Sequence, residues 1–448
     1  MAHDRCPARL CVWRLLEVWG PAFTIVLSTD APQGLALAPS AFPSIFFWPP
    51  ARGACRLAGI KEFVLVMTRR HALVTGGAGF IGSHLVDLLI ARGFDVTVLD
   101  CLSPQVHSDA EVDADGWPVY LNRAARRIKG NLLDRGVFEA SLENVTHLAH
   151  LAAYVGVGQS MTEIANYTRN NTLASAAMLE TLSLVPHTVK RIVVASSMSI
   201  YGEGQYWRRS TKEYVAPSPR SSRQLERRIW ECKADESSEE ELEPVPTTED
   251  KPLQPASIYA INKRDQEEMF LVVGRALGIP TIALRLFNTY GSRQSLGNPY
   301  TGVAAIFIAR LLNNEAPLVF EDGNQKRDLV HVRDVASAFA TMLEDDKPMW
   351  KAFNVGTGNA IAVKDIASTL ARLLNKDIAP RVLEKYRVGD VRHCFADISK
   401  IRREFGFRPG TSFDGGMKEL IDWVEVARKP RDRSSESMSE LVQYRLVV

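Results

Sequence analysis

The sequence predicts an α/β protein, a doubly wound parallel sheet carrying a smaller C-terminal α/β lobe, and three observations point there. From residue 71 to about residue 200, short apolar runs alternate with amphipathic stretches, as a parallel sheet covered on both faces requires. The first run empties into a glycine-rich turn, Thr75-Gly76-Gly77-Ala78-Gly79-Phe80-Ile81-Gly82, which opens a helix. The second run, Asp95-Val96-Thr97-Val98-Leu99-Asp100, ends in a carboxylate at the ~20-residue distance where such units grip a ribose.

Each element follows from its residues. His71-Ala72-Leu73-Val74 is the first strand, and residues 83–90 continue the first helix. Between them Gly76, Gly79 and Gly82 clear the way for a diphosphate at the helix N-terminus that Phe80 and Ile81 begin, since a Cβ would block the approach. Asp100 accepts from a ribose 2′-hydroxyl and repels a 2′-phosphate, so the expected cofactor is NAD rather than NADP. Residues 127–132 read as a third strand whose exit carries Asn131 and Leu132. Residues 146–153 are a fourth, running into the turn Leu151-Ala152-Ala153, and residues 191–197 a fifth, ending in Ser196 and Ser197. Ligands lie beyond the carboxyl ends of such strands, so all these exits face one cleft.

Residues 203–255 interrupt the pattern. Their first half is basic (Arg208, Arg209, Arg220, Arg223, Arg227, Arg228) and their second acidic (Asp235, Glu236, Glu239, Glu240, Glu241, Glu243). Such a composition buries little apolar surface, which predicts a mobile, solvated insertion on the rim of the cleft. A helix over 257–277 and a strand over 281–287 follow. Helices over 335–343, 363–374 and 416–428, around a strand at 352–355, read as the smaller lobe. The expected division is a poorly structured extension over 1–66, a dinucleotide domain over 67–290, a substrate lobe over 291–428 and a loose tail over 429–448. Met67, just before the first strand, reads as a natural start.

Charge and composition exclude several classes. With 54 Lys+Arg against 52 Asp+Glu the formal net charge is +2, which offers no general field for nucleic acid. The apolar stretch 22–27 is too short to span a membrane. Six scattered cysteines make no disulfide framework and suit a reducing cytoplasm.

Tyr259-Ala260-Ile261-Asn262-Lys263 carries the candidate chemistry. Residues four apart share a helix face, so phenol and ammonium address one point. A cation there is expected to lower a phenol pKa that otherwise lies near ~10 and so make a usable base. Ser197, at a strand exit, supplies a hydroxyl for the same cleft.

These features stand in an order that resembles the extended short-chain dehydrogenase/reductases, specifically the NAD-dependent nucleotide-sugar epimerase/dehydratase family, over roughly residues 68–428. Further matches are His150-Leu151-Ala152-Ala153, Ser196-Ser197-Met198-Ser199-Ile200-Tyr201-Gly202, Arg285-Leu286-Phe287-Asn288, Gly323-Asn324-Gln325-Lys326-Arg327-Asp328, Asn354-Val355-Gly356-Thr357-Gly358 and Arg387-Val388-Gly389-Asp390. The resemblance implies a Rossmann-type sheet, a homodimer and a nucleotide-diphosphate sugar as substrate. It implies Tyr259 as base, Lys263 as its partner, and Ser197 as the hydroxyl that binds the reacting sugar oxygen. Asn170 and Phe287 match cofactor contacts, while Asn288, Arg327, Arg387 and Asp390 match the substrate's nucleotide end. Cys394 replaces a bulky residue of the sugar pocket, Asn131 an aspartate that meets adenine, and Val155 a basic residue. Relatives that eliminate water place an Asp-Glu pair where Met198 and Ser199 stand, which points to epimerisation at C4 of a UDP- or dTDP-hexose.

The insertion also resembles a dTDP-rhamnose 4-epimerase-like subgroup whose members often carry paired cysteines there. Cys232 stands alone, so no metal is expected. A keto-sugar reductase and a catalytically silent NAD-binding protein are the competing readings.

Overall fold

The computed structural model describes residues 70–107, 110–235, 237–295, 302–387 and 389–426, with positions 442 and 447. The expected extension over 1–66 and nearly all of the expected tail lie outside the described residues. Seven strands form the main sheet: β1 (His71–Thr75), β2 (Asp95–Asp100), β3 (Arg126–Lys129), β4 (His147–His150), β5 (Arg191–Ser197), β6 (Thr281–Leu286) and β7 (Trp350–Val355). Their spatial order is β7-β6-β5-β4-β1-β2-β3, with every pair parallel. The order reverses direction at β1, which is where a doubly wound sheet opens its ligand crevice.

Strand periodicity explains the layering. Successive side chains point to opposite faces. Ala72, Val74, Val193 and Leu284 enter one apolar cluster with the helices α1 (Phe80–Ala91) and α5 (Val332–Glu344). Leu73, Ile192, Val194 and Ala283 enter another with α3 (Ala174–Leu184) and α4 (Ile258–Ala276). A short helix, α2 (Pro104–His107), follows β2. A third cluster, including Tyr290, Phe307, Ile366 and Leu420, is the core of the C-terminal helices Val303–Leu312, Val363–Leu373 and Phe413–Val426.

Two expectations are corrected. The strand at 350–355 and the helix before it belong to the main sheet, because β7 pairs along its length with β6 and α5 packs beside α1. The chain therefore returns to the sheet after residue 291 rather than staying in a separate lobe. The insertion, secondly, is ordered. Gln205–Arg208 pairs with Glu213–Val215 and Glu243–Val245 in a three-stranded sheet around Tyr206, Cys232 and Leu242. That apolar core is as small as its composition implies. Ion pairs do the rest: Arg220 meets Glu321 at 2.8 Å, and Arg392 meets Glu231 at 2.5 Å.

Candidate active site

The glycine turn is shaped by near-contacts. Gly76 adopts φ +70°, and a Cβ there would lie 2.7 Å from Ala152 N. A Cβ on Gly82 would lie 2.2 Å from Gly76 O, so neither tolerates a side chain. Gly79 differs, since its Cβ would approach only Gly76 O, at 3.3 Å. It is the N-cap of α1 and offers no side-chain cap, which leaves the first-turn N–H groups for a ligand.

Beyond the strand ends lies a cavity of about 360 Å³. Every residue expected to touch the dinucleotide lines it: Gly76, Gly79, Phe80, Ile81, Gly82, Asp100, Asn131, Leu132, Leu151, Ala152, Ala153, Asn170, Tyr259, Lys263 and Phe287. Ser197 lines it as well. Asp100 is buried, its Oδ2 accepting from Ala78 N at 3.0 Å and its Oδ1 from Leu102 N at 2.9 Å. Burial pushes its pKa up. Asn131 Oδ1 accepts from Leu133 N at 2.9 Å, so one lone pair of the expected adenine acceptor is already used.

At the other end, Ser257 caps α4 through Ala260 N at 3.2 Å, and Ser160 Oγ accepts from Tyr259 N at 3.0 Å. These bonds set the helix start and hence the phenol. Ser196 Oγ donates to Glu267 Oε2 at 2.6 Å, which leaves Ser197 as the hydroxyl beside Tyr259. Lys263 Nζ donates to Ala195 O at 2.9 Å. The expected lowering of the Tyr259 pKa is reversed in the protein alone: burial pushes it up to about 12, and the hydrogen bond with Ser197 pulls only partly the other way. Burial also takes Lys263 down to about 7. Loss of water disfavours both charged forms, and this outweighs their shared helix face.

The residues expected at the substrate's nucleotide end gather elsewhere. Arg327 spends its guanidinium on the carbonyls of Lys326, Val391 and Arg392 and on Asp390. Arg387 pairs with the same Asp390 at 2.8 Å and stacks on Phe320. Asp390 thus holds both arginines. Arg387 and Asp390 line a second cavity of about 80 Å³, with Arg220 of the insertion. Asn288 Oδ1 is buried without a hydrogen-bond partner among the described residues. Cys394 is corrected: it is fully buried against Thr247, its thiol pushed up to about 12 by burial, and it lines neither cavity. Its strand, His393–Cys394, pairs with Lys326–Arg327 and turns the sulfur inward.

Cys101, Ser103, Val106, His107 and Gln294, which were not expected at the site, also line the main cavity. The signal available was position, since the first four follow directly on Asp100 at a strand exit. Among the described residues, no group of three or more His, Cys, Asp or Glu is placed to hold a metal ion. No helix among them is long and apolar enough to cross a membrane.

Comparison with known proteins agrees with this geometry. Residues 72–226 match the profile of the NAD dependent epimerase/dehydratase family, and residues 238–420 that of GDP-mannose 4,6 dehydratase. The chain is 33% identical to dTDP-L-rhamnose 4-epimerase of Burkholderia thailandensis, over 80% of this chain and 96% of that protein. It is 30% identical to a putative UDP-glucose 4-epimerase of Methanocaldococcus jannaschii, over 79% of this chain and 98% of the relative. Among solved structures, Thermus thermophilus UDP-glucose 4-epimerase in complex with NAD superposes with a TM-score of 0.60 at 28% identity, covering 80% of this chain and all of the other. A glycine turn against α1, a buried acid after β2, and serine, tyrosine and lysine in one cavity thus occur in a chain that belongs to the NAD-dependent epimerase/dehydratase family.

Proposed function

We propose that this protein inverts C4 of a UDP- or dTDP-hexose, as an NAD-dependent nucleotide-sugar 4-epimerase. The observation that carries the reading is that Ser197, Tyr259 and Lys263 open into the same cavity as the glycine turn and Asp100. The cavity's residues fit NAD. The bare Gly79 and the uncapped start of α1 suit a diphosphate, and Asp100 suits an unphosphorylated ribose. Bound there, NAD supplies a reversible hydride acceptor.

The chain's own residues do the proton work. Ser197 holds the sugar's 4-oxygen, Tyr259 removes its proton and later returns it, and Lys263 provides the positive charge that the phenolate needs. Arg387 and Arg327, held by Asp390, are proposed to anchor the nucleotide end while the sugar presents its other face. Among the described residues Asp100 is the one carboxylate lining the cavity, and it belongs to the adenosine end. That leaves no acid–base pair for eliminating water, so epimerisation is favoured over dehydration.

The test is NMR of UDP- and dTDP-hexoses incubated with the protein in D₂O without added NAD. C4 inversion without deuterium at carbon supports the reading. Deuterium at C3 or C5, a deoxy-keto product, or stoichiometric NADPH consumption overturns it.

The same reading includes a homodimer. Ile261 and Val272 lie three turns apart on α4 and are exposed, as are Ile164 and Leu173 nearby. Replacing Ile261 and Val272 by Asp is expected to yield a monomer in sedimentation velocity.

A further inference from the structure

The insertion leaves and rejoins the chain at one point. Gln254 N donates to Ile200 O at 3.1 Å, between the strand exit that carries Ser197 and the capped start of α4. From there its first half folds against the residues read as the substrate's nucleotide end. Pro217, Pro219, Arg220 and Leu225 line the second cavity together with Arg387 and Asp390. Arg220 is the link, with a side chain only 3% exposed. Its Nη2 donates to Asp390 O at 3.1 Å and pairs with Glu321 at 2.8 Å, while its Nη1 donates to Trp230 O at 3.0 Å. Asp390 is the residue whose carboxylate holds both Arg327 and Arg387. It closes a tight turn, its N donating to Arg387 O at 3.1 Å, in which Gly389 adopts φ +78°.

We propose that Arg220 is a positioning residue for the nucleoside diphosphate of the substrate, and that the insertion is thereby part of the substrate site. This rests on reading Arg327 and Arg387 as the anchor of that diphosphate. Both arginines are aimed by the Asp390 carboxylate, and its aim depends on where the Asp390 backbone is fixed. Arg220 fixes it. A guanidinium presents five donors in a rigid fork, so one side chain joins the Arg387–Asp390 turn, Glu321 and the insertion's own Trp230 carbonyl. A lysine keeps the charge but not the fork. Arg392 and Glu231 already tie the insertion to the body of the protein. What Arg220 adds is a bond to the turn that aims the anchor. Arg220 is not among the described residues that line the main cavity, so its loss falls on nucleotide binding and not on the proton chemistry.

The test uses the full chain with NAD bound, and measures Kd for UDP and for dTDP by calorimetry in wild type, Arg220→Lys, Leu242→Ala and Arg387→Ala. Leu242→Ala cuts into the insertion's apolar core and leaves every bonding group of Arg220 in place. For Arg220→Lys the expected nucleotide affinity is about tenfold weaker, the worth of one hydrogen bond from a charged donor. KM for the sugar nucleotide should rise by the same factor, with kcat within about twofold of wild type. Leu242→Ala should melt earlier yet bind as wild type does. Hydrogen exchange on wild type needs no variant: UDP or dTDP should slow exchange at residues 220–225 as well as at 387–391. Three results overturn the proposal: wild-type affinity in Arg220→Lys, an equal loss in Leu242→Ala, or protection that stops short of the insertion. An Arg387→Ala variant that binds both nucleotides normally sinks the anchor reading, and the proposal falls with it.

Discussion

Lys263 Nζ reaches across from α4 to the carbonyl of Ala195 at 2.9 Å, and so ties the helix that carries Tyr259 to the strand that ends in Ser197. One bond therefore fixes the relative position of all three candidate catalytic side chains. It is made by an ammonium stripped of water, with its pKa brought down to about 7 by burial. A group placed against its own solvation, in a cavity beside a second perturbed group, is the mark of a site shaped for chemistry rather than for stability.

Replacing Lys263 by Met should give a more stable and less active protein. The folded pKa of about 7 lies below the unfolded value of 10.5, so between them the folded chain binds fewer protons than the unfolded one. Stability therefore rises with pH across that window, and the buried ammonium is most costly below pH 7. The variant lacks this term. Its Tm advantage should be largest at pH 6 and fade toward pH 10, while turnover falls at least about 100-fold. Calorimetry at three pH values checks the sign, and a variant melting below wild type at pH 6 refutes it.

Ser196 and Ser197 are neighbours with opposite expected phenotypes. Ser197→Ala should lower kcat about 100-fold with only about 1 kcal/mol lost from stability, because its hydroxyl opens into the cavity while also capping Met198–Tyr201 by accepting from Ser199 N at 3.2 Å. Ser196→Ala removes a 2.6 Å donor from the buried Glu267, which also pairs with Arg285. It should cost about 1–3 kcal/mol of stability with a smaller effect on turnover. Urea denaturation and steady-state kinetics on the two variants together separate the roles.

The glycine turn yields a graded pair. Gly82→Ala sets a Cβ 2.2 Å from a carbonyl oxygen, so the turn must open and the protein should purify without NAD. Gly79→Ala meets only a 3.3 Å contact, so the fold should survive while the new methyl group crowds the diphosphate. The expected result is wild-type Tm without nucleotide and an NAD affinity at least about tenfold weaker for Gly79→Ala. Acid-released NAD per chain provides the readout.

What could be read beforehand was what depends on local spacing. The 75–82 turn, Asp100 and the Tyr259/Lys263 pair each need only a few consecutive residues to declare a strand exit or a helix face. The order of the insertion was hidden because its partners, Glu321, Arg392 and His393, lie more than a hundred residues downstream of Arg220 and Glu231. No composition count can pair Arg220 with Glu321. β7 was assigned to the lobe because a short apolar strand does not announce its neighbour. The Tyr259 pKa went the wrong way because a helix-face argument counts charges and omits the water removed by folding.

The buried ionic knot gives the last prediction. Arg392 is fully buried and donates to Glu231, to Glu321 at 2.9 Å and to Asp322 at 2.6 Å. Glu231 comes from the insertion and also binds His393 Nε2 at 2.8 Å. Burial by itself would raise the Glu231 pKa, yet hydrogen bonds from His393 and Arg392 outweigh it and hold the carboxyl at about 2. A depressed folded value means stability that is complete above the ordinary 4.5 and lost as pH falls through 2. Arg392→Met strands three carboxylates around an apolar side chain and should cost about 3–5 kcal/mol at pH 7. The deficit should shrink between pH 5 and pH 2, as protonation removes the unpaired charge from the variant and the ion pairs from wild type alike. The insertion should loosen first, so trypsin is expected to cut the variant at Arg223, Arg227 or Arg228 before the main sheet unfolds. A variant that resists trypsin and matches wild type in urea at pH 7 would show that the insertion is held by its apolar core, Tyr206, Cys232 and Leu242, and not by charge.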